Sequence, residues 1–276
     1  MIARQASRAP APRRFARCRS ALGAGALGVA ALGACTSSEP AGPTDMYYAW
    51  DHRSVLCSDP IDDLEGVARN WTAEEGRFRD AHDHDWVTLV HAHQPGVTVS
   101  RAALEMVFGW ADQYKLDYVQ FRDLIPGHEP ERGGLAFAFD DDDVAGWLSI
   151  RDILDEHHAK VTFFITRWFE MTDDQKAGIA ELAADGHDIE PHTVHHYNAQ
   201  DYVRAYGIDQ YLDQEVLPSI TALTDAGYPV TSFAYPFGAH DETIDHAVLD
   251  MVDIQRVRTT PGECPGSDTP QADGED

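Results

Sequence analysis

The stretch LAFAFDDDDVAGWLSIRDILDEHHAKVTFFI, residues 135–165, decides the fold class. Leu135 to Phe139 is a short, Phe-rich apolar run that follows two glycines, which reads as a buried strand. Val144 to His158 carries apolar residues at helical spacing, and Val161 to Ile165 is a second β-type run. Strand, helix and strand in about 30 residues make a βαβ unit. Its two strands lie parallel, because a helical crossover returns the chain in the direction it started.

Outward from this unit the alternation continues. Upstream, Trp86 to His93 reads as a strand, Arg101 to Tyr114 as a helix through Leu104, Val107 and Trp110, and Tyr118 to Phe121 as a strand. Downstream, Thr172 is the expected N-cap of a helix reaching Ala184, with Gly186 beyond its end. Strands are expected at Asp188 to Glu190, Thr231 to Tyr235 and Ile254 to Val257, with helices from Gln210 to Ala226 and from Asp241 to Met251. The fold class is therefore α/β, a parallel sheet covered by helices, either open or closed into a barrel. Trp147, Trp168 and Phe163 fall at apolar periodic positions and read as core. The chain has no Gly-rich phosphate loop and no solenoid-type repeat.

With 276 residues, 43% of them hydrophobic and 10% aromatic, the chain can bury a sizeable core. A net charge of −26 excludes nucleic acid as a partner, since phosphate binding needs clustered Lys and Arg. Six arginines, from Arg4 to Arg19, precede a small apolar stretch from Ala21 to Ala34, the pattern of a signal peptide. Its end, Leu32, Gly33, Ala34, Cys35, resembles the lipobox of bacterial lipoproteins, which implies lipidation of Cys35. An ordinary cleaved signal is the alternative, and Arg13, Arg14 and Phe15 resemble weakly a twin-arginine export signal. Loss of the segment would leave 15 basic residues against 47 acidic ones, a net charge of −32 suited to neutral or cationic glycans. The expected organisation is a signal peptide over 1–34, a flexible tether over 35–45, one domain over 46–260 and a disordered acidic tail over 261–276.

The strongest chemical signal is His192, Thr193, Val194, His195, His196, just after the strand ending at Glu190. Two His four apart share one face of a helical turn, where both imidazoles can grip one divalent ion. The run Asp140 to Asp143 stands at the end of another strand, where parallel α/β proteins build their sites.

Phe139, Asp140, Asp141 resembles the first motif of the NodB-homology polysaccharide deacetylases, and His192 to His196 resembles the second. Gly186, His187, Asp188, Ile189 is similar to the usual lead-in to the second motif. Phe233, Ala234, Tyr235, Pro236, Phe237, Gly238 is similar to the third. The resemblance implies a distorted (β/α) barrel in which Asp141, His192 and His196 hold a divalent metal, most often Zn2+, with Co2+ or Ni2+ as alternatives. It implies Asp140 as general base, Thr193, Tyr235, Pro236, Phe237 and Gly238 as substrate-binding residues, and the Phe237 amide as an oxyanion donor. Tyr197 and Phe237 are expected to line the groove. Asp142 is an alternative ligand to Asp141, one position along.

Two departures stand out. Family members often carry Arg where Ala234 stands, leaving Arg258 or Arg256 to steady Asp140. The chain also ends soon after the third motif, without the family's final Leu-x-His element that bears the general acid. Leu89, Val90, His91, followed by His93, resembles that element at the front of the chain, with residues 46–125 standing for the family's usual C-terminal part and 133–260 carrying the metal motifs. The domain is then a circular permutant, with Ser54 to Ser58 beside Ile254 to Val257, His91 or His93 as acid, and Cys57 near Cys264. The implied activity is removal of acetyl groups from N-acetylated, or alternatively O-acetylated, sugars of an exported polysaccharide such as chitin-like chains or peptidoglycan. The implied setting is lipid attachment to a bacterial membrane, in the periplasm or on the cell surface. A glycan-binding lipoprotein that has lost efficient chemistry is the competing reading, and a metal-scavenging lipoprotein a third.

Overall fold

A computed structural model gives the fold and describes residues 47–48, 54–64, 66–124, 132–251 and 254–260. Three short strands come first, β1 (Tyr47–Tyr48), β2 (Val55–Cys57) and β3 (Asp59–Pro60), followed by helix α1 (Trp71–His84), strand β4 (Val87–Ala92), helix α2 (Arg101–Tyr114) and strand β5 (Asp117–Tyr118). After a 3-10 turn at Phe121–Asp123 come β6 (Gly134–Asp141), α3 (Val144–Leu148), α4 (Arg151–Glu156), β7 (Thr162–Ile165), α5 (Asp173–Ala184) and β8 (Asp188–Pro191). Then follow α6 (Ala199–Tyr206), α7 (Ile208–Tyr211), a π-helical turn at Leu212–Val216, α8 (Leu217–Asp225), β9 (Ser232–Ala234), a 3-10 turn at Pro236–Gly238, α9 (Glu242–Leu249) and β10 (Arg256–Thr259).

The strands form two sheets. One runs β1-β4-β6-β7-β8, with β3 also on β4 and β5 on β6; the other runs β2-β10-β9. Every pairing is parallel except β1 with β4. Only Ser58 separates β2 from β3, so one extended stretch passes from sheet to sheet, with Cys57 opposite Thr259 on β10 and Pro60 opposite His91 on β4. At the other junction the buried Glu190 carboxylate of β8 accepts from the Thr231 amide at 3.0 Å and its hydroxyl at 3.0 Å, just ahead of β9. The strands thus follow one another around a ring, although no backbone ladder joins β8 to β9.

Strand periodicity divides the buried residues into two cores. Leu135, Phe137 and Phe139 of β6, Val90 of β4 and Phe163 of β7 point outward to the helices, where Trp147, Phe108 and Leu182 pack on them. The alternate residues, Val87 and Leu89, Ala136 and Ala138, Phe164 and Ala234, fill the inside of the ring. Continuing each inner series toward the C-terminal strand ends gives His91 after Leu89, Asp140 after Ala138, and His192 after Glu190. The residue period alone therefore stacks a polar layer on an apolar plug at the end where such barrels work.

The expected elements recur with local changes. Helix α2 spans the expected residues, and α5 has Thr172 at its N-cap in a reciprocal capping box with Gln175. The expected single helix over 144–158 is broken, because the Ser149 hydroxyl bonds back to the Gly146 carbonyl at 2.6 Å and ends the first segment. The expected helix from Gln210 to Ala226 is interrupted by the π-helical turn. The expected strand over 118–121 shortens to Asp117–Tyr118 and gives way to the 3-10 turn, while β10 lies two residues later than expected. Helices α1 and α6 were not expected: α1 buries only Arg77, Phe78 and Ala81 of 14 residues, so its periodicity is faint. Residues 1–46, with Cys35, and 261–276, with Cys264, lie outside the described residues. Cys57 is buried and disulfide-bonded.

Candidate active site

The four consecutive aspartates take four different positions. Asp140, the last inward residue of β6, is buried and paired with the Arg258 guanidinium of β10. Asp141 has a φ of 88°, a left-handed conformation costly for a residue with a Cβ, and this turn brings its carboxylate beside that of Asp140 at the mouth of the ring. Asp142, the alternative ligand, pairs instead with Arg167 at 3.2 Å and does not line the pocket. Asp143 caps α3 by accepting from the Gly146 amide.

His192 and His196 do not sit on a helical turn as expected. They lie on an irregular loop after β8 in which Thr193 and His196 have φ of 67° and 64°. The loop is held from several sides. The Thr193 hydroxyl accepts from the His196 amide at 3.0 Å, and Glu215 of the π-helical turn accepts from the His195 amide at 2.9 Å and contacts His195 Nδ1 at 2.6 Å. Backbone strain at three neighbouring positions of the site is thus balanced by a network of specific bonds. His192 Nδ1 donates to the Ala234 carbonyl at 2.8 Å, which leaves Nε2 as the electron-pair donor. Burial brings the His192 pKa down to about 4, so the ring is neutral.

One ligand-capable atom from each of Asp141, His192 and His196 lies within 4.8 Å of the others. The His196 Nε2 to Asp141 Oδ1 contact of 3.0 Å lacks hydrogen-bond geometry, and that buried oxygen has no hydrogen-bond partner. Two imidazoles and a carboxylate aimed at one point rather than at each other fit a divalent ion with an open coordination position. They line a pocket of about 490 Å³ with His91, His93, Asp140, Tyr235, Phe237 and Gly238. Thr193 and Pro236, expected at the substrate, are buried behind this surface. Gly238 is required where it stands: its φ is 66°, and a Cβ there would lie 2.3 Å from the Thr260 hydroxyl. The exposed Phe237 ring lies against His196 at 4.8 Å.

Residues 127–252, from ahead of β6 to just past α9, match the family model described as polysaccharide deacetylase. The matched segment is similar to a polysaccharide deacetylase domain. Its enzyme class is that of a deacetylase hydrolase. Among solved structures the domain is similar to IcaB from Ammonifex degensii, at 19% identity over 66% of this chain and 88% of that one, with a TM-score of 0.52. A weaker likeness is to the Streptococcus pyogenes deacetylase PplD in complex with acetate, at 15% identity over 63% and 93% of the two chains and a TM-score of 0.44. No curated protein matches the chain in sequence.

The matched segment carries the Asp run, the His loop and the third motif, and leaves β4 and β10 outside it. Those two strands complete the pocket. Arg258, not Arg256, reaches Asp140; Arg256 donates instead to the Leu124 carbonyl at 2.7 Å. The arginine missing at Ala234 is therefore supplied by the facing residue of the neighbouring strand, since Ala234 and Arg258 are register partners.

The two histidines of β4 have opposite electrostatic settings. His91 is buried, with Nδ1 at 3.0 Å from the Ser58 hydroxyl, and burial followed by the nearby Arg258 charge drives its pKa well below the ordinary value. His93 lies just beyond the strand, with Nδ1 at 2.6 Å from Asp62 Oδ2. Burial alone would lower its pKa, but the Asp62 hydrogen bond and the charge of Asp140 outweigh that and raise it to about 9. Asp62 is itself fixed by the Thr98 hydroxyl at 2.5 Å and the His93 amide at 3.2 Å. Asp62 and Arg258 carry this arrangement, and no local motif marks Asp62.

Proposed function

We propose that this protein removes acetyl groups from N-acetylated sugars of an extracytoplasmic polysaccharide, using a divalent metal held by Asp141, His192 and His196. The observation that carries the reading is the convergence of those three ligand atoms, one oxygen lacking any hydrogen-bond partner, beside Asp140 and His93. A Zn2+ ion there would polarise the acetyl carbonyl and lower the pKa of a water. Asp140, oriented by Arg258, takes the proton from the water oxygen as that oxygen bonds to the carbonyl carbon. As the carbon–nitrogen bond breaks, His93 gives its proton to the leaving nitrogen, so that acetate and a free amine result. The raised pKa of His93 keeps a proton available for this step, while the neutral His91 shapes the wall. Phe237 lines the pocket, and its amide donates to the developing oxyanion. The pairing of Asp140 with Arg258 answers one motive for the reading as a glycan-binding relic, the lack of an arginine at Ala234.

Acetate release from chitin oligomers and peptidoglycan, with zinc or cobalt, tests this. Asp140→Asn and His93→Ala are expected to lose about a hundredfold or more in kcat/KM, and His91→Ala less than His93→Ala. Absence of acetate from every substrate despite stoichiometric metal would overturn the proposal.

The same reading holds that the chain is a circular permutant. It is supported by the parallel pairing of β2 with β10, which puts residues 55–60 between the third-motif strands and β4. It also holds that the protein is exported and lipid-anchored through Cys35, supported by the Arg-rich start and the Leu32 to Cys35 sequence. Among the described residues no helix is long and apolar enough to cross a membrane. Metabolic labelling with palmitate should mark the wild type and not Cys35→Ala; equal labelling of both would refute the anchor.

A further inference from the structure

The loop that carries His196 leads into a second concavity of about 720 Å³, larger than the catalytic pocket. One wall is a succession of rings. His195 lies against Tyr197 at 5.5 Å between centroids, Tyr197 against Tyr202 at 5.7 Å, and Tyr202 against Tyr206 at 4.9 Å. Tyr202 and Tyr206 stand four apart on α6, so both fall on one helix face. Tyr197 and Tyr206 are 50% and 62% exposed, which leaves two large rings open to water in a concave site. The deeper member is Tyr211, fully buried behind Tyr202 at 5.8 Å, so the outer rings are backed by a rigid aromatic layer.

The polar groups between the rings suit an uncharged ligand. Asp201 is already paired with Arg204 at 2.7 Å, and the Glu215 carboxylate is occupied by His195. The Gln210 side chain bonds to Tyr202, and the amide of Gln214 lines the same groove wall. Flat rings accept the apolar CH face of a pyranose, and amides exchange hydrogen bonds with its hydroxyl and acetamido groups. The groove lies next to the catalytic pocket along the chain, with His195 lining one and His196 the other.

We propose that the groove of Tyr197, Tyr202 and Tyr206 is a second sugar-binding site that holds an uncharged N-acetylated chain beyond the sugar being deacetylated. This rests on the deacetylase reading and extends it: the enzyme selects polymer over short fragments, and α6 sets that selection.

The test uses the full chain in an Asp140→Asn background, titrated calorimetrically with the hexamer and the dimer of N-acetylglucosamine. The hexamer should bind about tenfold more tightly than the dimer, and Tyr197→Ala with Tyr206→Ala should bring the ratio close to one. Both rings are exposed, so the melting temperature should hold; Tyr206→Ser alone gives a smaller shift of the same sign should the double variant not fold. An unchanged ratio overturns the groove. So does an unchanged ratio accompanied by loss of a dimer in sedimentation, which would assign the rings to contact between copies of the chain. Acetate release by the zinc-loaded wild type is measured separately. Its absence together with a tyrosine-dependent ratio would overturn the deacetylase reading and leave the groove standing.

Discussion

At the residue scale, the Asp run shows how much a short motif leaves to the fold. Four identical side chains become a buried partner of Arg258, a carboxylate at the pocket mouth, an ion-pair partner of Arg167 and a helix cap, because strand alternation, one positive φ and the start of α3 point them in different directions. Asp140, Asp141, His192 and His196 were legible in the sequence as motifs. Arg258 was legible only as one of two candidates, since 118 residues separate it from Asp140 and only strand register decides between it and Arg256. Asp62 was not legible at all. Its role yields a pH prediction. His93 holds its proton up to about 9 in the folded protein and, at its ordinary value, loses it near 6.5 when unfolded. Between those values the folded state binds the extra proton, so this contribution to stability is complete below 6.5 and is lost as pH rises through about 9. The alkaline limb of kcat/KM should follow the same group, falling as His93 deprotonates. Asp62→Asn should move that limb to lower pH and flatten stability between pH 6.5 and 9. An alkaline limb identical in Asp62→Asn and wild type would remove His93 as the acid.

At the element scale, the long α2 and the fully capped α5 were readable, whereas α1 and α6 were not, because α1 buries only three of its fourteen residues and the eight-residue α6 only Ala199. The π-helical turn is the least predictable element and one of the most consequential. It brings buried Glu215 to the loop between the two ligand histidines, where the backbone carbonyl of Glu215 accepts from Val194 at 3.2 Å while its carboxylate holds His195. Removing one side of such a buried, charge-assisted network costs about 1–3 kcal/mol. Glu215→Ala should therefore lower the melting temperature of the metal-free protein and weaken zinc binding about tenfold, the order found when a ligand's outer support is lost. Glu215→Gln, which keeps an acceptor, should recover part of both. Zinc titration calorimetry decides; unchanged affinity in Glu215→Ala would show that His192 and Asp141 position His196 unaided.

At the scale of the whole molecule, the argument concerns the order in which the chain visits the ring. Spatially the strands run β4, β6, β7, β8, β9, β10 and then β2 with β3, which return to β4. The groups of the pocket and their support are drawn from the whole of this order: Asp140, Asp141, His192 and His196 from the middle, His91 and His93 from near the start, and Arg258 from the end. The contacts among them depend on strand neighbours, not on where the termini fall, because each strand is held by its register partners and by the two cores. Periodicity disclosed the elements, whereas the parallel pairing of strands some 200 residues apart was legible only through the family resemblance, which placed Ser54 to Ser58 beside Ile254 to Val257. A rearranged chain provides the test. Residues 132–260 placed first and residues 46–124 second would need a linker of at least about a dozen residues, since β10 and β2 are parallel and the connection must return along the full length of the ring. Such a chain should fold cooperatively, bind zinc with native affinity and retain the dependence of activity on His93. Zinc should raise its melting temperature as it does for the native order, because a ligand that binds only the folded state stabilises it by mass action. If the rearranged chain bound zinc but lost its dependence on His93, β4 would not be the strand that supplies the acid; if it failed to fold where the native order folds, the ring would depend on its present termini.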